Sequence, residues 1–179
     1  MAVLVEANSV IVRMQAIRDR YAGGWSEFAD AVPNNTLCSD DEIARVGFMN
    51  PNDCDAYIGN LERSGLTFLR DGQSQDIAVA VQTDGIAVPC EWLEFVRIEV
   101  APGQIVAAVR LKKGTASQQV HCPENWSYEK SLSRQFAVVP ADRLDKSLTF
   151  LRHENGLDVY LNALTGEEVY IGRPNLKAE

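Results

Sequence analysis

The pentapeptide Leu66-Thr67-Phe68-Leu69-Arg70 recurs letter for letter as Leu148-Thr149-Phe150-Leu151-Arg152. A segment used twice constrains the fold, because a unit too small to bury its own apolar face normally packs against its copy. Aligned without gaps, Asp76 falls on Asp158, Ile77 on Val159, Val79 on Leu161 and Thr83 on Thr165. Upstream, once Gly65 is skipped, Leu61-Glu62-Arg63-Ser64 falls on Leu144-Asp145-Lys146-Ser147. The expectation is one domain over 1–179, with a pseudo-repeat at 46–96 and 136–172 and an extra N-terminal segment, 1–40. Phe68 and Phe150 are expected in the core, with Arg70 and Arg152 at strand ends.

Local patterns supply the elements. Val3, Val5, Val10, Ile11 and Val12 give residues 3–12 the β-branched enrichment of one or two strands. Met14, Ile17 and Tyr21, and then Trp25, Phe28, Ala29 and Val32 beyond Gly23-Gly24, follow helical spacing and predict two short helices. Ser39-Asp40-Asp41-Glu42 matches a capping box and predicts a short helix into Ile43. Val46 to Met49 reads as a strand. Asn50-Pro51-Asn52-Asp53 then offers an N-cap, a proline at N1 and an acid in the first turn of a helix that buries Cys54, Tyr57, Ile58 and Leu61 and stops at Gly65.

Leu66–Leu69, Ile77–Val81, Ile86–Val88 and Trp92–Val100 read as strands, with turns at Asp71-Gly72 and Asp84-Gly85. Pro102-Gly103 fits the centre of a type II turn and predicts a hairpin from Phe95–Val100 to Ile105–Leu111. Residues 113–127 show no period and read as a long connection. Strands are expected again at Phe136–Val139, at Leu157–Leu161 after Asn155-Gly156, and at Val169–Ile171.

The fold class is therefore α+β: a mostly antiparallel, curved sheet built from two related strand-helix-strand-strand-strand units, with short N-terminal helices. Val46-Gly47-Phe48-Met49-Asn50-Pro51-Asn52-Asp53, Gly65-Leu66-Thr67-Phe68-Leu69, Asp71-Gly72 and Trp92-Leu93-Glu94-Phe95 resemble the βαβββ module of the vicinal oxygen chelate superfamily, which includes glyoxalases and bleomycin-resistance proteins. The resemblance implies paired modules around a cupped sheet and, in the enzymes, a divalent metal held from strands of both. Glu94 matches one such ligand by position. The other positions carry Gly47, Phe48, Met49 and Gln135, so neither a metal nor any other cofactor is expected.

Twenty-five acidic against 17 basic residues give a formal charge of -8, which sets the average surface against nucleic acid and anionic lipid. An acid at position 6 interrupts the N-terminal apolar run, no span long enough to cross a bilayer appears, and a cytoplasmic location is expected. Cys38, Cys54, Cys90 and Cys122 form no Cys-x-x-Cys pair and read as buried free thiols. His121 beside Cys122 makes a poor dyad, because neighbours in an extended segment point opposite ways.

By elimination and charge, the first reading is a non-enzymatic acidic binding protein that holds another, basic, protein, as an immunity-type neutraliser would. The alternative is a small-molecule binder or metal-poor enzyme of vicinal-oxygen-chelate type, with its pocket near Glu94. The candidate binding residues are Glu94, Trp126 in the long connection, Asp40 and Asp41 in the capping box, and Asp53 and Asp55 on the helix after Pro51. Trp25 and Trp92 are expected in the core.

Overall fold

A computed structural model describes residues 1–114, 116–135, 148–155, 157–162 and 166–172. It divides into two compact units, Met1–Trp126 and Ser127–Glu179, with the boundary at the end of the long connection. The architecture is α+β, in antiparallel sheets joined by short helices. Among the described residues no helix is long and apolar enough to cross a membrane.

In the first unit the β-branched N-terminus forms β1 (Ala2–Val5) and β2 (Asn8–Arg13), which belong to different sheets. The switch is made at Ala7, whose φ of 48° lies in the left-handed region and whose N–H donates to Gln82 Oε1 at 2.9 Å. Then come α1 (Met14–Arg20), α2 (Gly24–Asp30), β3 (Cys38–Ser39), β4 (Ile43–Phe48), α3 (Pro51–Arg63), β5 (Leu69–Arg70), β6 (Gln73–Ser74), β7 (Ile77–Val81), β8 (Gly85–Ile86), β9 (Leu93–Ala101), β10 (Gln104–Leu111) and β11 (Val120–His121).

The two larger sheets of this unit have the orders β3-β4-β2-β7-β8 and β11-β1-β10-β9, and β5 and β6 form a separate hairpin. All pairs are antiparallel except β1 with β11. β2 lies between β4 and β7, pairing Val10 with both Val46 and Val79. Strand alternation puts Val10, Val12, Ala44, Val46 and Ile77 in one cluster with Ile17 and Phe28 of α1 and α2, and with Cys54, Tyr57, Ile58 and Leu61 of α3. Burial of that face, at about 25 cal/mol per Å² of apolar surface, is what holds helices as short as α1 and α2.

The helix after Pro51 forms as its caps dictate. Asn50 accepts the N–H of Asn52 through its side chain at 2.9 Å, and Gly65 follows at φ 103°. A Cβ on Gly65 would sit 2.7 Å from the Arg20 carbonyl oxygen, so the position is closed to larger residues.

Several expectations for the first unit need correcting. No helix starts at Ser39. The Asp40 carboxylate instead accepts the N–H groups of Glu42 and Ile43, each at 2.8 Å, and closes the β3–β4 turn. The same side-chain chemistry serves helix caps and turns, and pairing of Ile43–Phe48 with β2 decides between them. Of Leu66–Leu69, only Leu69 is in a strand, beside Arg70. Trp25 and Trp92 are half-buried rather than core; Trp25 stacks on Phe28 at 5.6 Å.

The second unit holds a 3-10 turn at Tyr128–Lys130, α4 (Leu132–Gln135) and the antiparallel meander β12 (Leu148–Glu154), β13 (Leu157–Asn162) and β14 (Glu168–Gly172). Asn155, at φ 51°, turns β12 into β13. Phe150 is 54% exposed and Leu151 41%, which overturns the core expectation for Phe150. A register shift between Phe150 and Arg152 breaks the alternation there. The expected strand Phe136–Val139 and the segment through Ser147 lie outside the described residues, as does Thr165.

Candidate functional site

A cleft of about 610 Å³ in the first unit is assembled from four separate stretches of chain. β2 ends on Arg13, whose N–H donates to Asp76 O at 2.9 Å and whose guanidinium lies 5.6 Å from the centre of the Trp92 ring. The β5–β6 hairpin brings Arg70, Asp71, Gln73 and Ser74. Asp71 and Gly72 both have positive φ, at 52° and 74°, so Asp-Gly makes the tight turn its sequence promises.

Hydrogen bonds to backbone carbonyls clamp the remaining walls. The Ser74 N–H donates to Pro89 O at 2.9 Å, and the Trp92 indole N–H returns to Ser74 O at 3.2 Å. Lys112 N–H donates to Trp92 O at 3.0 Å, and Lys112 Nζ to Cys90 O at 3.1 Å. Trp92 is thus held by its backbone carbonyl and its indole N–H, with part of its ring at the cleft wall.

Arg13, Arg70, Lys112 and Lys113 face two acids, Asp71 and Glu91, and among the described residues none of the six forms an ion pair. Other arginines are spoken for: Arg20 bonds Asp76, Arg110 bonds Glu94, Arg134 bonds Glu167 and Arg152 bonds Glu154 and Glu168. The cleft therefore concentrates unneutralised positive charge on a chain whose net charge is strongly negative.

A second feature is a charge buried in the first unit. Arg45 is 2% exposed, and donates from Nε to Ser9 Oγ at 2.8 Å, from Nη2 to Glu6 O at 2.8 Å and from Nη1 to Thr36 O at 3.3 Å. Burial lowers its affinity for the proton, and burial pushes the Cys38 and Cys122 thiols up to about 11. With its donors spent on backbone carbonyls and a serine, Arg45 is framework. A Cβ on Gly47 would meet Nη2 at 2.4 Å, so glycine makes room for it. A glycine inside the apolar strand Ile43–Phe48 was the sequence signal for this close approach.

The residues singled out from sequence fall elsewhere. Glu94 sits opposite Arg110 on β10 and bonds its Nε at 2.9 Å, outside the cleft lining. Trp126 is half-buried with its indole N–H toward Glu6 Oε1 at 3.3 Å. Asp40 is buried in its turn. Asp41, Asp53 and Asp55 are exposed, with Asp41 lining a hollow beside Arg18 and Trp25, and Asp53 a different one beside Phe48 and Tyr57. Cys38, Cys54 and Cys90 are buried and Cys122 half-buried, all as free thiols. Among the described residues no three His, Cys, Asp or Glu side chains gather as a metal site would require.

No protein-family model, curated protein or solved structure matches the chain. The Trp92 cleft is therefore read from its own chemistry.

Proposed function

We propose that this protein is a binding protein whose receptor site is the Trp92 cleft and whose ligand is a small anion. The observation that carries the reading is the convergence of Arg13, Arg70, Lys112 and Lys113 without an ion pair among the described residues. Cations left unneutralised in a concave site focus the field and attract negative charge from solution. The cleft volume lies within the range of small-molecule sites, and a tryptophan beside polar donors is their usual lining. The free cysteines suit a reducing compartment such as the cytosol.

Titration calorimetry with small carboxylates and phosphates tests this. Binding that weakens with salt, and about tenfold on replacing Arg13 and Lys112 together by glutamine, is the expected result. Anion binding untouched by those changes would place the site elsewhere.

A second reading, the grip of a basic protein, is favoured by the exposure of Asp41, Asp53 and Asp55, none of which is ion-paired among the described residues. Exchanging all three for asparagine separates the two readings, since it weakens capture of a basic protein and leaves small-anion binding in the cleft intact.

A further inference from the structure

We infer that the anion this cleft selects is the dianionic phosphate of a small phosphate monoester, an inference that rests on the cleft being the receptor site. Three features of the lining converge on that group. The first is charge: four cations against Asp71 and Glu91 leave a surplus of two positive charges. A phosphate monoester carries roughly -1.5 to -2 near neutral pH and matches the surplus, whereas a carboxylate or a sulfate ester, each with one negative charge, leaves part of it unneutralised.

The second is the donor set. A phosphate monoester presents three terminal oxygens, each a strong acceptor, and so needs several donors from different directions. Arg13 supplies a planar fork. Held over the Trp92 ring, it is positioned without spending its N–H groups on a carboxylate. Lys112 and Lys113 add point charges from the end of β10.

The third is Ser74, 4% exposed and at the cleft wall. Its N–H and carbonyl are already engaged by Pro89 and Trp92, yet its hydroxyl has no hydrogen-bond partner. The hydroxyl is closed to water as it stands, and a rotation about the Cα–Cβ bond would turn this unused donor to the cleft, where a phosphate oxygen would satisfy it. The cleft is also far larger than a phosphate group, leaving space for the organic part of the ester against the indole.

The test compares phenyl phosphate, phenyl sulfate and benzoate on the intact protein by calorimetry, above the second phosphate pKa of about 6. Phenyl phosphate should bind about tenfold more tightly than either monoanion. Ser74→Ala should weaken phenyl phosphate about fivefold, and Lys113→Gln, at an exposed position where folding is not at stake, should narrow the preference over phenyl sulfate by a similar factor. Phenyl sulfate or benzoate binding as tightly as phenyl phosphate would overturn the dianion assignment and leave the anion cleft standing. Failure of all three to bind, or binding unmoved by Lys113→Gln and Ser74→Ala, would overturn the cleft itself.

Discussion

Leu66–Arg70 and Leu148–Arg152 are the same five residues in two different settings. In the first, Leu66 is buried, Phe68 half-buried, and the chain turns back at once through Asp71-Gly72. In the second, all five belong to β12, Phe150 and Leu151 are exposed, and the turn waits until Asn155. Identity over five residues does not settle their environment; the position of the turn and the strands on either side do. The positions that follow are more alike than the pentapeptides. Asp76 and Asp158 are both buried beside a basic side chain, Arg20 and His153 respectively, and Ile77 and Val159 are both fully buried in strands.

That contrast is sharpest at the apolar pair. Ile77→Ala should cost about 3 kcal/mol and Val159→Ala about 2, since each opens a cavity at a site with no exposure. Urea denaturation measures both. A Val159→Ala variant as stable as the parent would end the likeness between β7 and β13.

Next in size is Gly65, which precedes the first pentapeptide where Ser147 precedes the second. Gly65→Ala forces a left-handed backbone on alanine and drives a Cβ onto the Arg20 carbonyl, and should cost about 2 kcal/mol. A neutral result in thermal denaturation would mean that the α3–β5 connection can relax, and that Gly65 says nothing about why the two pentapeptides differ in setting.

The carboxylates come third. Asp76 accepts the Thr67 N–H at 2.8 Å as well as the Arg20 guanidinium, so Asp76→Ala leaves a backbone donor without its partner and should cost about 1.5 kcal/mol. Asp158, whose contacts include the half-exposed His153, is the counterpart, and Asp158→Ala measures how much the second buried aspartate contributes. Equal losses in the two variants would show that the buried aspartates, unlike the pentapeptides, do equivalent jobs.

The same contrast between local pattern and surroundings explains what could be read from the sequence. Elements with strong local punctuation emerged: α3 between Asn50-Pro51 and Gly65, and the β9–β10 hairpin around Pro102-Gly103. Partners did not, because nothing local to Asn8–Arg13 says that it will lie between Ile43–Phe48 and Ile77–Val81. Ser39–Glu42 misled because an aspartate satisfies turn and helix-start N–H groups equally well. The cleft was hidden for a related reason. Arg13, Arg70, Trp92 and Lys112 are far apart in the chain, and a net charge of -8 describes an average surface while a ligand meets a local one.

The smallest effect is the one that tests the pentapeptides themselves. Phe150 packs edge-on against Tyr160 at 5.6 Å and is otherwise largely open, so Phe150→Ser should cost no more than about 0.5 kcal/mol. Phe68 packs against the helix-side core, and Phe68→Ser should cost about 1.5 kcal/mol. Paired thermal melts compare the two directly. If Phe150→Ser proved as damaging as Phe68→Ser, the second copy would be as deeply built in as the first, and exposure would be the wrong basis for telling them apart. If the difference holds, Leu-Thr-Phe-Leu-Arg is a segment whose phenylalanine contributes to stability in one setting and little in the other, with the neighbouring turn deciding which.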